Sequence, residues 1–114
     1  MHEHPIAEEI LNLALKNARA VGARRITDLH LVLGPFSSVT EESIRFYWDM
    51  LSENSLAEGA QLHFRHPPAK LSCDACGREY QPAGKYLSCP DCHSWAAKIL
   101  RGDEFFLESI DVDE

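Results

Sequence analysis

Two pairs of cysteines, Cys73 with Cys76 and Cys89 with Cys92, are separated by twelve residues. A C-x-x-C turn aims two thiolates at one centre, and its backbone amides can donate to the sulfurs. Two such knuckles facing each other make a tetrahedral all-sulfur site, the arrangement favoured by structural zinc. With four thiolates in place there is no open position for a catalytic water. A redox dithiol would need one C-x-x-C opening a helix after a strand, and two symmetric pairs argue against it. Iron in a rubredoxin-like site is the remaining alternative. Gly77 follows the first pair, where a knuckle often needs a positive φ. His93 follows the second pair and reads as a surface histidine, with replacement of a cysteine or ligation of a second metal as the alternatives.

The chain also starts Met1-His2-Glu3-His4. A retained Met1 amine, the His2 amide nitrogen and the His2 imidazole can close adjacent chelate rings. Bulky His2 disfavours removal of the initiator methionine. Such a nitrogen-rich, nearly planar set suits Ni(II) or Cu(II) better than Zn(II) or Mg(II). By pattern alone, a histidine near a terminus is more often plain surface. The string is not the zinc-protease motif, which sets two histidines four residues apart on a helix. His30 and His63 fall on polar strand faces and His66 at a strand end, where it reads as solvated. Trp48 and Trp95 read as packing residues.

The elements that must position these groups follow from periodicity. Ile6, Ile10, Leu13, Ala14 and Val21 recur at helical spacing over residues 5–21, with Pro5 in the first turn and Gly22 as the stop. Thr27, Leu29, Leu31 and Leu33 then alternate with Asp28, His30 and Val32, which is a strand with one buried face. A second helix over about 41–52 carries Ile44, Tyr47, Trp48 and Leu51. Thr40 or Ser38 can cap it, and Ser38 to Glu41 has capping-box spacing. Leu62 and Phe64 mark a second strand closed by Pro67 and Pro68. In the last segment, 104–112, both faces carry hydrophobic residues, and a strand is the better reading. The expected fold is α+β: two helices packed on a small three-stranded sheet, with an inserted zinc-ribbon module.

Composition narrows the function. The chain has 114 residues, 45% of them hydrophobic, and a formal charge of -7. That acidity, with scattered Lys and Arg, argues against nucleic acid as a partner. No secretory leader is legible, and no stretch approaches the roughly 18 apolar residues of a membrane span. The chain therefore reads as soluble and cytoplasmic, where paired cysteines are metal ligands more often than disulfides.

With both metal features in place, the chain resembles the HypA/HybF family of hydrogenase-maturation nickel metallochaperones. The resemblance runs almost end to end: the MHE start, RRITDLHLVLGPFSSV, EESIRFYWDML, SLAEGAQLHF, the two cysteine pairs and RGDEFFLESIDV. It implies a discontinuous nickel-binding α/β domain, residues 1–68 and 104–114, and a zinc-ribbon domain, residues 69–103. It places transferable Ni(II) on Met1, His2 and Glu3, and structural Zn(II) on Cys73, Cys76, Cys89 and Cys92. It implies no enzyme activity, and as partners a maturation GTPase of the HypB type and the large subunit of a [NiFe]-hydrogenase. Some family members also serve urease, and a homodimer is a further expectation. Position four is usually apolar in the family, but His4 and Pro5 stand after the motif here. Where some members offer a carboxylate before the second helix, this chain has Thr40, with Glu41 next to it.

The rival reading is a zinc-ribbon adaptor for a protein partner, with no transferable metal. A hydrolase has little support, because every cysteine is needed for zinc and no serine sits in a nucleophile motif.

Overall fold

The computed structural model describes residues 3–82 and 88–114, with the side chains of residues 3 and 4 excluded. The chain runs α1 (Glu3–Ala20), β1 (Arg25–Leu33), α2 (Glu41–Ser52), β2 (Gln61–Arg65), β3 (Lys70–Cys73), β4 (Glu79–Tyr80), β5 (Ala97–Arg101) and β6 (Phe105–Asp113).

Helix α1 contains Pro5 in its first turn, where no N–H partner is lost. It ends at Gly22, whose φ of 68° turns the chain out of the helix. The Ala23 amide donates to the Ala18 carbonyl and the Gly22 amide to Arg19, the paired bonds of a glycine-terminated helix. Its buried stripe is Ala7, Ile10, Leu11, Ala14, Leu15 and Ala18. Leu13 and Val21, expected in the stripe, are exposed. Leu13 projects off the 7–11–14–18 row, and Val21 lies past the last helical residue.

Helix α2 is capped by Thr40, whose side chain accepts the Ser43 amide while the Ser43 side chain accepts the Thr40 amide. The reciprocal partner is thus Ser43, and the Ser38–Glu41 spacing is not the one used. Ile44 and Trp48 are buried beneath the helix, and Tyr47 and Leu51 are half-buried.

The first sheet has the order β2-β1-β6, with β2 parallel and β6 antiparallel to β1. Both helices contribute to its one core, where Ile26, Leu29, Leu31 and Leu33 of β1 meet Ala14, Ile44 and Trp48. Two irregularities in the β1–β6 ladder explain its patterning. A shift between Ile26 and Asp28 lets both Ile26 and Leu29 point inward despite their odd spacing. A shift between His30 and Leu31 changes the inward set of β6 from Phe105 and Leu107 to Ile110 and Val112. This is why the strand looks hydrophobic on both faces in sequence.

The opposite face of that sheet carries cross-strand polar pairs. His63 meets Asp28 at 2.7 Å, His30 meets Asp111 at 2.8 Å, and Arg65 meets Glu108 at 2.9 Å. His30 and His63 are therefore sheet surface, as their alternation suggested. His66 is exposed, as expected, and is also held in place: Nδ1 lies 3.1 Å from the Leu33 carbonyl and Nε2 lies 2.9 Å from Glu41. Trp48 is a packing residue, whereas Trp95 is 72% exposed and packs no core.

Strands β3, β4 and β5 form a second antiparallel sheet, order β4-β3-β5, with its own small core of Leu71, Cys73, Tyr80 and Cys89. None of these strands is legible from periodicity: β3 and β4 have four and two residues, and the burial of β5 does not alternate. The fold is α+β, with two helices on the first sheet and the cysteine-bearing ribbon inserted before its last strand. The sheets join where the Gly34 amide donates to the Glu104 carbonyl and the Phe36 amide to the Gly102 carbonyl. A Cβ on Gly34 would overlap that Gly102 carbonyl. Gly34→Ala is therefore expected to lower stability by about 1–3 kcal/mol through overpacking. Urea unfolding would check it, and an unchanged midpoint would show that the joint can yield.

Candidate metal centre

Cys73 is the last residue of β3, so the first knuckle leaves directly from the central strand of the ribbon sheet. The Gly77 amide donates to the Cys73 carbonyl at 2.9 Å, and the Cys73 amide donates to the Arg78 carbonyl at 2.8 Å. The second knuckle repeats this bond for bond. The His93 amide donates to the Cys89 carbonyl at 2.9 Å, and the Cys89 amide to the Ser94 carbonyl at 3.0 Å.

The symmetry gives His93 its place. Gly77 has a φ of 78° and His93 a φ of 62°, so the histidine occupies the second knuckle's counterpart of the glycine. Its left-handed backbone costs an L-residue about 1–2 kcal/mol that glycine avoids. His93 is exposed and its ring is not among the clustered ligand atoms. It is the turn residue of a knuckle.

The four sulfurs meet. All lie within 4.8 Å of one another, with Cys73 and Cys92 at 3.5 Å and Cys76 and Cys89 at 3.6 Å. Tetrahedral zinc with bonds of about 2.3 Å sets its sulfurs about 3.8 Å apart, so the cluster fits with small adjustments. Cys73 and Cys89 are buried, and Cys76 and Cys92 are exposed. Among the described residues this is the one group of three or more His, Cys, Asp or Glu side chains placed to share an ion.

Electrostatics argue for a cation in the same place. The Cys76 and Ala75 amides point at Cys73 and lower its thiol to about 7 against desolvation. The Cys92 and Asp91 amides lower Cys89 in the same way. Cys76 receives the Arg78 amide, but its sulfur neighbours Cys89, Cys73 and Cys92, together with desolvation, outweigh it and push the thiol up to about 12. Cys92 receives the Ser94 amide and is nonetheless raised, with Cys73 the leading opposing cause. One thiol in each knuckle is thus prepared for ionisation and the other is opposed by negative neighbours. A divalent cation removes that opposition.

The N-terminal candidates have a different standing. Met1 and His2 lie outside the described residues. Glu3 begins α1, and its side chain lies outside the description, as does that of His4. Thr40 has its hydroxyl engaged in the helix cap. Glu41 is bonded by His66 and by Arg45, which together hold its carboxyl below the usual range.

Comparisons with known proteins place these features in a family context. A family profile described as "Hydrogenase/urease nickel incorporation, metallochaperone, hypA" matches residues 1–112. A hydrogenase maturation factor HypA from Dehalococcoides mccartyi is 41% identical, over 100% of this chain and 96% of that one. One of the same name from Chlorobium luteolum is 37% identical, over 100% of this chain and 97% of the relative. Among solved structures, the "Solution structure of HypA protein" superposes with a TM-score of 0.71 at 25% identity, covering 98% of this chain and 96% of that one. The "Solution structure of the Ni metallochaperone HypA from Helicobacter pylori" gives 0.68 at 23% identity, covering 99% and 98%, a likeness of fold.

Zinc binding to the metal-free chain must displace protons from the thiols, because only thiolates ligate. Cys76 is pushed up to about 12 and Cys92 is raised, so zinc uptake at pH 7 is expected to release at least about two protons, and affinity should fall as pH falls. Calorimetric titration in buffers of different ionisation heat measures the number. Release of fewer than one proton would mean that these thiols are not the ligands.

Proposed function

From the premise that the chain belongs to the HypA family of nickel metallochaperones, we propose that it binds Ni(II) at its N-terminus and delivers it during [NiFe]-hydrogenase maturation. The family's role is that of a maturation factor and not of a catalyst. The observation that carries the finer reading is that the family match starts at residue 1, so His2 and Glu3 fall inside it.

In this reading two metals have unequal roles. Cys73, Cys76, Cys89 and Cys92 hold a structural Zn(II) that stays with the chain and fixes the ribbon. Met1, His2 and Glu3 hold the cargo nickel at the N-terminus, through the amine, the amide nitrogen and imidazole of His2, and a carboxylate. A site with fewer protein ligands than a closed cage suits transfer, because an incoming ligand from an acceptor can reach the ion before the donor lets go. A closed four-thiolate cage lacks that access. The amine and imidazole bind only when deprotonated, so acid releases the cargo.

The reading also divides the chain. Residues 1–68 and 104–114 form the nickel-binding domain, and residues 69–103 form the zinc ribbon. The separate cores of the two sheets support that division. The acceptors are a maturation GTPase of the HypB type and the [NiFe]-hydrogenase large subunit, and the setting is cytoplasmic. No described helix is long and apolar enough to cross a membrane.

The test uses untagged protein with a native start, because any added residue removes the Met1 amine from the site. Nickel titration of wild type and His2→Ala, with metal analysis, is expected to show nickel binding weakened at least about 100-fold in the variant, from loss of the chelating imidazole. Zinc content should remain at one per chain. Equal nickel affinity in the two proteins would exclude the N-terminal site.

A further inference from the structure

The two knuckles are held by unequal means. The first lies between β3 and β4, and both strands hold it in register. The second is followed by β5, which pairs Ala97 with Cys73. Between the knuckles themselves, the described side chains make one bond besides the sulfur contacts: Arg78 Nη1 donates to Asp91 Oδ2 at 2.7 Å. Each partner of that bond also serves a sulfur through its backbone. The Arg78 amide points at Cys76, and the Asp91 amide points at Cys89. These two sulfurs are themselves 3.6 Å apart. The ion pair therefore spans the same gap that a metal bridges between Cys76 and Cys89.

We propose that the Arg78–Asp91 ion pair is a clasp on the cage, a positioning pair that holds the second knuckle onto the first and slows metal loss. The proposal rests on reading the four thiolates as zinc ligands. An ion leaves such a cage by surrendering sulfurs to a competitor, and the knuckles must part for the last ones to go. The exposed thiolate Cys76 offers the point of attack, and the clasp lies beside it. A zinc ion with four thiolates carries excess negative charge, which the Arg78 guanidinium faces. Asp91, and then the Cys89 and Cys76 sulfurs, stabilise that guanidinium in its charged form. Both partners of the pair are about half exposed. Exposed pairs contribute little to equilibrium stability, so the effect belongs to exchange rate rather than to zinc content.

The experiment follows zinc transfer from the zinc-loaded full chain to a colorimetric chelator. Its variants are Arg78→Gln, Asp91→Asn, the double variant and Arg78→Lys. Each should retain one zinc, and cobalt-substituted samples should keep the thiolate charge-transfer bands of the wild type. Both single variants should release zinc about three- to fivefold faster, the upper end being what an exposed pair worth up to about 1 kcal/mol can supply. The double variant should match a single one rather than multiply the effects, and Arg78→Lys should recover most of the slow rate. Release within twofold of wild type in both single variants, or multiplicative effects in the double, would overturn the clasp. A wild-type chain that takes up no zinc would overturn the ligand reading, and the clasp with it, which zinc analysis separates from any result on rates.

Discussion

Four thiols held within 4.8 Å of one another impose the governing constraint on the C-terminal half of this molecule. Each sulfur is drawn towards ionisation by backbone amides, yet each thiolate that forms opposes the next. Cys73, lowered to about 7, and Cys76, pushed up to about 12, are two sides of that conflict. A divalent cation resolves it by adding positive charge where the sulfurs converge. The ribbon has few other resources. Its core is Leu71, Tyr80 and two of the cysteines themselves, too little apolar burial to hold a segment of this length. Metal binding and folding are one process in such modules.

The first sheet depends on nothing of that kind. Its core is continuous and apolar, built from one face of β1 against both helices. The strand on which everything registers is β1, central between a parallel β2 and an antiparallel β6. Helix α2 makes the parallel pairing possible by carrying the chain back to the start of the sheet. The charged face of the same sheet is covered by its own cross-strand pairs, so it needs no further layer.

The two halves suit the unequal metal roles of the proposed reading. A cage that saturates its ion and ties both knuckles to strands is built to retain. The proposed cargo site lies instead at the N-terminus, next to helix α1, which begins at Glu3. Joining the halves are backbone bonds across Gly34 and Gly102, a contact only residues without a Cβ can make.

Much of this was legible without coordinates. The cysteine spacing identified the cage because the covalent geometry of a C-x-x-C turn is local. Helix α2 was readable because its burial follows a single period, and β1 in part, because Leu29, Leu31 and Leu33 do so while Ile26 and Val32 are buried off that period. The MHE start and the chain-long motifs pointed to the family. Only the tertiary structure decided which hydrophobic set of β6 faces inward, because a register shift in the ladder changes it midway. The same holds for Leu13, whose apolar side chain is exposed on α1 despite its helical spacing. It holds for the left-handed turn at His93, which the sequence marks only as a surface histidine beside a knuckle, and for the ribbon strands, which show no period. Local chemistry and periodicity are written in neighbouring residues. Register, facing and partners across a sheet depend on segments far apart in the chain, and those meet only in three dimensions.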